Sequence, residues 1–301
     1  MIITGTDLDD RLTGTADADT IDGRAGNDRL FGGGGSDQVS GGRGSDTVDG
    51  GLGDDVISFA DLSTPDGNGR VVVDLLVGLA WSGSDVDSLV AVESVAGTSG
   101  DDWIKGNDAV NTLSGGAGGD VLVAYGGGDT LIGEGGNDAL YGTDRDEVLI
   151  SGEGIDWVEA GGGNDLLIED ATIAGEWSAL HGGGGEDEAV ISGNGAVGVW
   201  GGDGNDTIRL ASLGSVYVTG GAGADSYMLQ SSGLTQIYDF ELGLDKIYVL
   251  ALPSPERSLE ILDWGPNTGV LLTDGETGAV STVMLMGIAS SLVDVARDFI
   301  L

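Results

Sequence analysis

Residues 32–58 read GGGGSDQVSGGRGSDTVDGGLGDDVIS and divide into three consecutive units of nine, each GGxGxDxUx with a large aliphatic residue at U. Side chains alternate along a strand, so the residues on either side of U point away from it. Six residues of turn followed by three of strand therefore leave U alone on an inner face. Two units make one circuit, with two short strands facing each other. Circuits stacked at about 4.8 Å give two parallel sheets with the U side chains between them. The expected fold is all-β, a right-handed parallel β-roll solenoid with a C-terminal β cap.

The period extends well beyond this stretch. From Gly5 it runs for six units, and the sixth position is Asp10, Asp19, Asp28, Asp37, Asp46 and Asp55, each followed two residues later by Leu, Ile or Val. The first two units carry Leu8 and Asp17 in place of the fourth glycine, as suits an atypical terminal repeat. Residues 1–58 form the first repeat block, and 59–96 a connector whose strand-like runs at 71–75 and 89–95 are expected to continue the roll. The register resumes at Gly97 for eight units, making 97–168 a second block with Asp102, Asp120, Asp129, Asp138, Asp156 and Asp165 at position six. Asn111 and Glu147 stand at that position in two degraded units, which are expected to bind weakly or not at all. In 169–228 the metal-type turns, at Asp187, Asp206 and Asp225, recur at every nineteenth position, one per circuit. Residues 229–301 leave the repeat, with strand-like runs at 236–240, 242–250, 269–273 and 281–286 and an amphipathic segment at 291–297. They are assigned as cap and secretion signal.

Composition says what must fill the turns. The 301 residues include 59 Gly, 51 Asp plus Glu and 11 Lys plus Arg, for a net charge of −40. Such self-repulsion opposes a compact state unless a cation sits among the carboxylates. The same charge excludes nucleic acid and anionic membrane surfaces as partners, and no apolar run is long enough for a membrane span. There is no cysteine, so no disulfide supports the fold.

Glycine lets a turn bring its carbonyls close to one point, and the Asp adds a carboxylate there. Oxygen ligands without Cys or His suit a hard cation, and irregular geometry favours calcium over magnesium. The candidate ligands are the position-six aspartates just named, together with the turn glycines Gly23 and Gly26; Gly32, Gly33 and Gly35; Gly41, Gly42 and Gly44; Gly50, Gly51 and Gly53; Gly201, Gly202 and Gly204; and Gly220, Gly221 and Gly223. One turn cannot supply six or more oxygens, so each unit is a half-site completed by a neighbouring circuit.

GGGGSDQVS and GGRGSDTVD resemble the repeats-in-toxin (RTX, haemolysin-type) calcium-binding family, and GAGADSYM followed by IYDFELGLDKI is similar to that family's C-terminal roll cap. The resemblance implies a calcium-filled β-roll with several Ca2+ ions, made by a Gram-negative bacterium and exported to the extracellular medium by the type I secretion machinery. It also implies a C-terminal export signal, often an acidic residue followed by hydrophobics. The ending Asp298-Phe299-Ile300-Leu301 fits that description, and MIITGTDLDDRLTG lacks the basic and apolar regions of a Sec signal. The expected function is a secreted calcium-binding protein that folds on meeting extracellular calcium, structural or surface-associated and without catalysis. The second reading is a carrier or polysaccharide-binding module of a larger secreted enzyme or adhesin, with a cell-surface or polysaccharide partner.

Enzymatic motifs are weak. GNGAVG at 193–198 matches a dinucleotide fingerprint, but VWGGDGND cannot open the helix that motif needs. His181, the only histidine, lies in ALHGGGG and outside any catalytic or zinc motif. Trp103, Trp157, Trp177 and Trp200 recur at strand positions, where they cover sheet faces or present an exposed row to a partner.

Overall fold

The computed structural model describes residues 1–60, 62, 69–171, 177–211, 214–230, 233–249, 258–273 and 280–300. It is a parallel β-solenoid with almost no helix, and the chain divides into two compact units, Met1–Gly142 and Thr143–Leu301.

In the first unit one sheet is built from Ile2–Thr4, Thr20–Asp22, Gln38–Ser40, Val56–Ser58, Ser94–Ala96, Thr112–Ala117 and Thr130–Gly135, in that order and all parallel. The facing sheet runs through Arg11–Thr13, Arg29–Gly34 and Thr47–Leu52, then the connector, then Trp103–Lys105, Val121–Val123 and Ala139–Tyr141. Within the repeats each strand pairs with the strand one full circuit on, as Leu30 with Val48 and Leu113 with Leu131. The eighth-position residues form the core, with Leu30, Val48, Ile57, Leu113 and Leu131 all 0% exposed. Each such leucine or isoleucine contributes about 1.5–3 kcal/mol by burial.

The connector keeps the stacking but changes the path. Val72–Asp74, Leu79–Ser82 and Asp85–Val90 form an antiparallel meander whose outer strands pair in parallel with Trp103–Lys105 and Thr47–Leu52. The apolar runs at 71–75 and 89–95 are thus both in the roll, with Val71, Val73, Leu89 and Val95 buried. Residues 61 and 63–68 lie outside the described residues.

In the second unit the circuits lengthen. The offset along the ladder is 18 from Glu147 to Asp165, 22 from Asp165 to Asp187 and 19 from Asp187 to Asp206. Strand pairing follows it, Val148 lying beside Leu166, Leu166 beside Glu188 and Glu188 beside Thr207. The sequence GNGAVG joins the end of Glu188–Gly193 to the start of Ala196–Asp203, strand to strand with no helix. Past the repeats, Leu234–Ile237 and Lys246–Val249 extend the two sheets. Val280–Leu285 lies parallel beside Leu234–Ile237 and continues antiparallel through Asn267–Thr273 to Ser258–Trp264. That last strand has an irregular exposure pattern, so alternation gave no signal for it. The 291–297 segment contains a 3-10 turn, Ser290–Leu292, and one helical turn, Val295–Asp298. Phe299–Ile300 then pairs with Ile247 and Tyr248. The expected strand end at Leu250 and the final Leu301 lie outside the described residues.

Candidate metal centres

A ladder of backbone-to-carboxylate bonds runs along the turns. The N–H of Asp10 donates to Oδ1 of Asp28 and that of Asp28 to Asp46, each at 2.8 Å; on the other edge Asp19 donates to Asp37 and Asp37 to Asp55 at the same distance. The same link joins Asp102 to Asp120 and Asp120 to Asp138, Asn111 to Asp129 and Glu147 to Asp165. Asp165, Asp187, Asp206 and Asp225 continue it at 2.9–3.0 Å. Every one of these side chains, Asp10 apart, is buried in a medium where an unpaired carboxylate is expensive.

The second carboxylate oxygen divides the turns into two kinds. Oδ2 of Asp28, Asp37, Asp46, Asp55, Asp120, Asp165, Asp187 and Asp206 is buried with no hydrogen-bond partner. In contrast, Oδ2 of Asp10 accepts from the N–H and hydroxyl of Thr6 at 2.6 and 2.8 Å, and Oδ2 of Asp19 from those of Thr15 at 2.6 and 2.9 Å. Thr98 does the same to Asp102, Asn107 donates its N–H to Asn111, and Thr143 bonds both oxygens of Glu147.

The residue at position two decides which kind forms. Gly33, Gly42, Gly51, Gly116, Gly161, Gly183 and Gly202 all have φ between 90° and 119°, which turns their N–H away from the carboxylate. Arg24 takes the same place at φ 75°, and its turn too is open. Threonine at position two stays out of that region and caps the carboxylate from within. The two degraded units are closed, and Asn111 further donates its amide to the Glu93 carbonyl at 2.9 Å, which engages an oxygen otherwise free to face a cation.

Position-one glycines mark where the oxygens converge. A Cβ on Gly23 would stand 2.5 Å from Asp28 Oδ2 and 2.6 Å from the carbonyl oxygen of Gly41, one circuit on. The same pair of atoms crowds Gly32, from Asp37 and Gly50, and Gly201, from Asp206 and Gly220. Carboxylate from one circuit and carbonyl from the next therefore face one small space that these glycines leave open. This donor set, all oxygen and drawn from two circuits, fits calcium. Among the described residues no three His, Cys, Asp or Glu side chains cluster as a metal site, so backbone carbonyls must make up most of any coordination shell here.

Loss of hydration pushes the carboxyls of Asp120, Asp165 and Asp206 up to about 7, and those of Asp46 and Asp225 up to about 6, with neighbouring carboxylates adding to the effect. In the closed turns Thr6 holds Asp10 below its ordinary value, and the N-terminal ammonium with Thr15 does so for Asp19.

Three ladder members escaped the nonapeptide pattern. Asp46 donates to Asp87 and Asp55 to Glu93, both in the connector, and Asp225 donates to Asp245. Each retains the tail of the repeat, an acidic residue two before an aliphatic one (Asp87-Ser-Leu89, Glu93-Ser-Val95, Asp245-Lys-Ile247), without the glycine head. That tail was the available signal. Asp239 also accepts from the N–H groups of Gly220 and Gly221 at 2.9 and 2.8 Å.

Outside the turns, one sheet face of the second unit carries rings. His181 stacks on Trp200 with centroids 4.4 Å apart and lies 5.0 Å from Trp157, while Trp177 meets Tyr217 at 4.8 Å. Trp157 and Trp177 remain more than 40% exposed. Burial lowers the His181 pKa.

The RTX calcium-binding nonapeptide repeat (4 copies) matches residues 4–39, 31–60, 92–122, 115–144, 141–168 and 200–229. No curated protein matches the chain in sequence. Among solved structures, the AlgE6R3 subunit of the Azotobacter vinelandii mannuronan C5-epimerase is 21% identical over 56% of this chain and 80% of that one, with a TM-score of 0.27. The extracellular lipase LipA of Serratia marcescens is 13% identical over 100% of this chain, which spans 40% of the lipase, with a TM-score of 0.22.

Proposed function

The chain belongs to the RTX calcium-binding nonapeptide repeat family, and from that premise we propose that it is a secreted calcium-binding protein that folds when it meets extracellular calcium and serves a structural or surface role without catalysis. The observation that carries this reading is the row of buried Oδ2 atoms without partners, all but that of Asp165 beside a glycine head between circuits. Calcium bound there would neutralise carboxylates that otherwise repel one another across a chain of net charge −40. Asp28, Asp37, Asp46, Asp55, Asp120, Asp165, Asp187 and Asp206 would supply the carboxylates and the head-glycine carbonyls the remaining oxygens. The closed turns of Asp10, Asp19, Asn111, Asp102 and Glu147 would remain without an ion.

The size of the effect supports a switch. At ten times its dissociation constant a site adds ~1.4 kcal/mol to the folded state, so eight sites add about 11 kcal/mol, as much as an ordinary domain's whole stability. Extracellular modules bind at roughly 10⁻⁴–10⁻³ M, so at cytosolic calcium the contribution is about zero. Export in the unfolded state follows. Asp298 and Phe299 are buried in the folded chain, and an export machine would read them only before folding. Circular dichroism in EDTA and then in millimolar calcium tests the proposal. A large gain in sheet signal is expected, and an unchanged spectrum overturns it.

The ring-bearing face favours one second reading, a module that docks a polysaccharide of a larger assembly. Exposed indole faces such as Trp157 and Trp177 suit the apolar faces of sugar rings. Glycan-array binding by the calcium-loaded protein separates the two, since a purely structural protein would bind none.

A further inference from the structure

The nine-residue register does not stop where the glycines do. Counting heads from Gly142 gives Ser151, Ala160 and Glu169. Ser151 and Glu169 are successive heads on one edge, two units apart, and both carry a polar side chain where glycine heads leave room for oxygens. Glu169 lies just beyond a matched repeat segment that ends at residue 168.

Glu169 is 0% exposed on the strand Leu166–Ala171. Ser151, itself 0% exposed, donates its hydroxyl to Glu169 Oε2 and lies 3.1 Å from the carbonyl oxygen of Ile168. The Ser178 hydroxyl lies beside the same carboxylate. Glu169 Oε1 is buried and has no partner. Ser178 stands in the ladder place of a position-six aspartate, accepting the N–H of Asp156 at 3.1 Å and donating to the Gly154 carbonyl at 3.3 Å. The charges that act on Glu169 are those of Asp156 and Asp170, both negative.

We infer that Glu169, Asp156, Ser151 and Ser178 form a separate calcium site, one in which two carboxylates and two hydroxyls take over from the usual carboxylate and glycine carbonyl. The inference rests on the calcium reading above. All donors are oxygen, and two buried carboxylates brought together call for a metal ion or a shared proton. Calcium affinity in oxygen sites rises with the number of charged ligands, so this site fills before the single-carboxylate turns. Its place at the break in spacing, where the ladder offset widens from 18 to 22, gives it a task. It ties Val148–Glu153 and Leu166–Ala171 to Trp177–Gly184 where the ordinary half-site is missing.

Calorimetric titration of the full chain with calcium, beginning from EDTA-treated protein, tests this. Glu169→Gln keeps the shape and the Ser151 bond, and should bind one ion fewer, with the tightest step gone. Glu169→Asp keeps the charge but shortens the reach, and should retain the ion count with that step weakened at least tenfold. It also serves as the measurement if the Gln variant fails to fold. Unchanged stoichiometry and affinities in Glu169→Gln, or an unchanged tightest step in Glu169→Asp, would overturn the inference and assign a shared proton to the pair. That result leaves the nonapeptide sites intact, whereas wild-type protein that takes up no calcium would sink the proposed function itself.

Discussion

Asp206→Asn should stabilise the metal-free roll and reduce the further stability that calcium adds. Asp206 is 1% exposed, its Oδ1 accepts the N–H of Asp187 at 3.0 Å, and its Oδ2 has no partner. Asparagine keeps the first bond through its carbonyl oxygen. Its amide takes the place of Oδ2 beside the Gly220 carbonyl, which would stand 2.5 Å from a Cβ on Gly201. The carboxyl is pushed from 3.8 up to about 7, and each unit of displacement is worth about 1.4 kcal/mol. Holding the ion at pH 8 without metal therefore costs of the order of 4 kcal/mol, which the amide removes. With calcium the variant forfeits one site, ~1.4 kcal/mol at ten times the dissociation constant. Urea unfolding followed by circular dichroism, in EDTA and in millimolar calcium, measures both. Trimethylamine N-oxide in both series strengthens burial and favours the metal-free fold. A variant less stable than wild type in EDTA, or one that keeps the full calcium-induced shift, would show that Asp206 is not an uncompensated half-site.

The raised carboxyls also set a pH dependence. Asp120, Asp165 and Asp206 titrate near 3.8 when unfolded and about 7 when folded, so the metal-free fold binds more protons between those values and gains stability as pH falls. That gain is complete below the unfolded value and lost as pH rises through 7. Sheet signal in EDTA should therefore grow between pH 8 and pH 5, and a flat profile would contradict the burial argument. Thr98→Gly should open a closed turn by releasing Asp102 Oδ2 from the threonine N–H and hydroxyl, and calorimetry should count one more calcium ion; no increase would mean that position two does not control the site.

The core and the stacking were legible because they follow from a strict period, twelve residues of the first block in fixed places, and a period is a geometric statement. Which turns stand open was only half legible. Glycine against threonine at position two is visible in the letters, yet Arg24 and Glu134 adopt φ of 75° and 74°, a conformation that such residues rarely take. Stacking of neighbouring circuits imposes it on them. The connector's Asp87 and Glu93 were obscured for a different reason: their partners lie 41 and 38 residues away, and no fixed spacing connects them. Glu169 was hidden because glycine marks the repeat in the sequence, and the register outlasts the glycine by one head.

The ladder of backbone bonds has a direction, and the direction makes the two flanks of the roll unequal. In every pair the earlier circuit gives the N–H and the later one receives it, from Asp165 through Asp187, Asp206 and Asp225 to Asp245. Stripping a circuit from the upstream flank leaves a carboxylate oxygen one donor short, a vacancy that water or a cation fills. Stripping one from the downstream flank takes away both the acceptor of that N–H and the carboxylate itself. Each layer is thus completed by its successor. The residues after the last repeat act as a terminus for that debt, with Asp245 receiving Asp225, Asp239 receiving Gly220 and Gly221, and Asp298 receiving Gly243 at 3.2 Å. Fraying therefore removes a donor on one side and an acidic acceptor on the other.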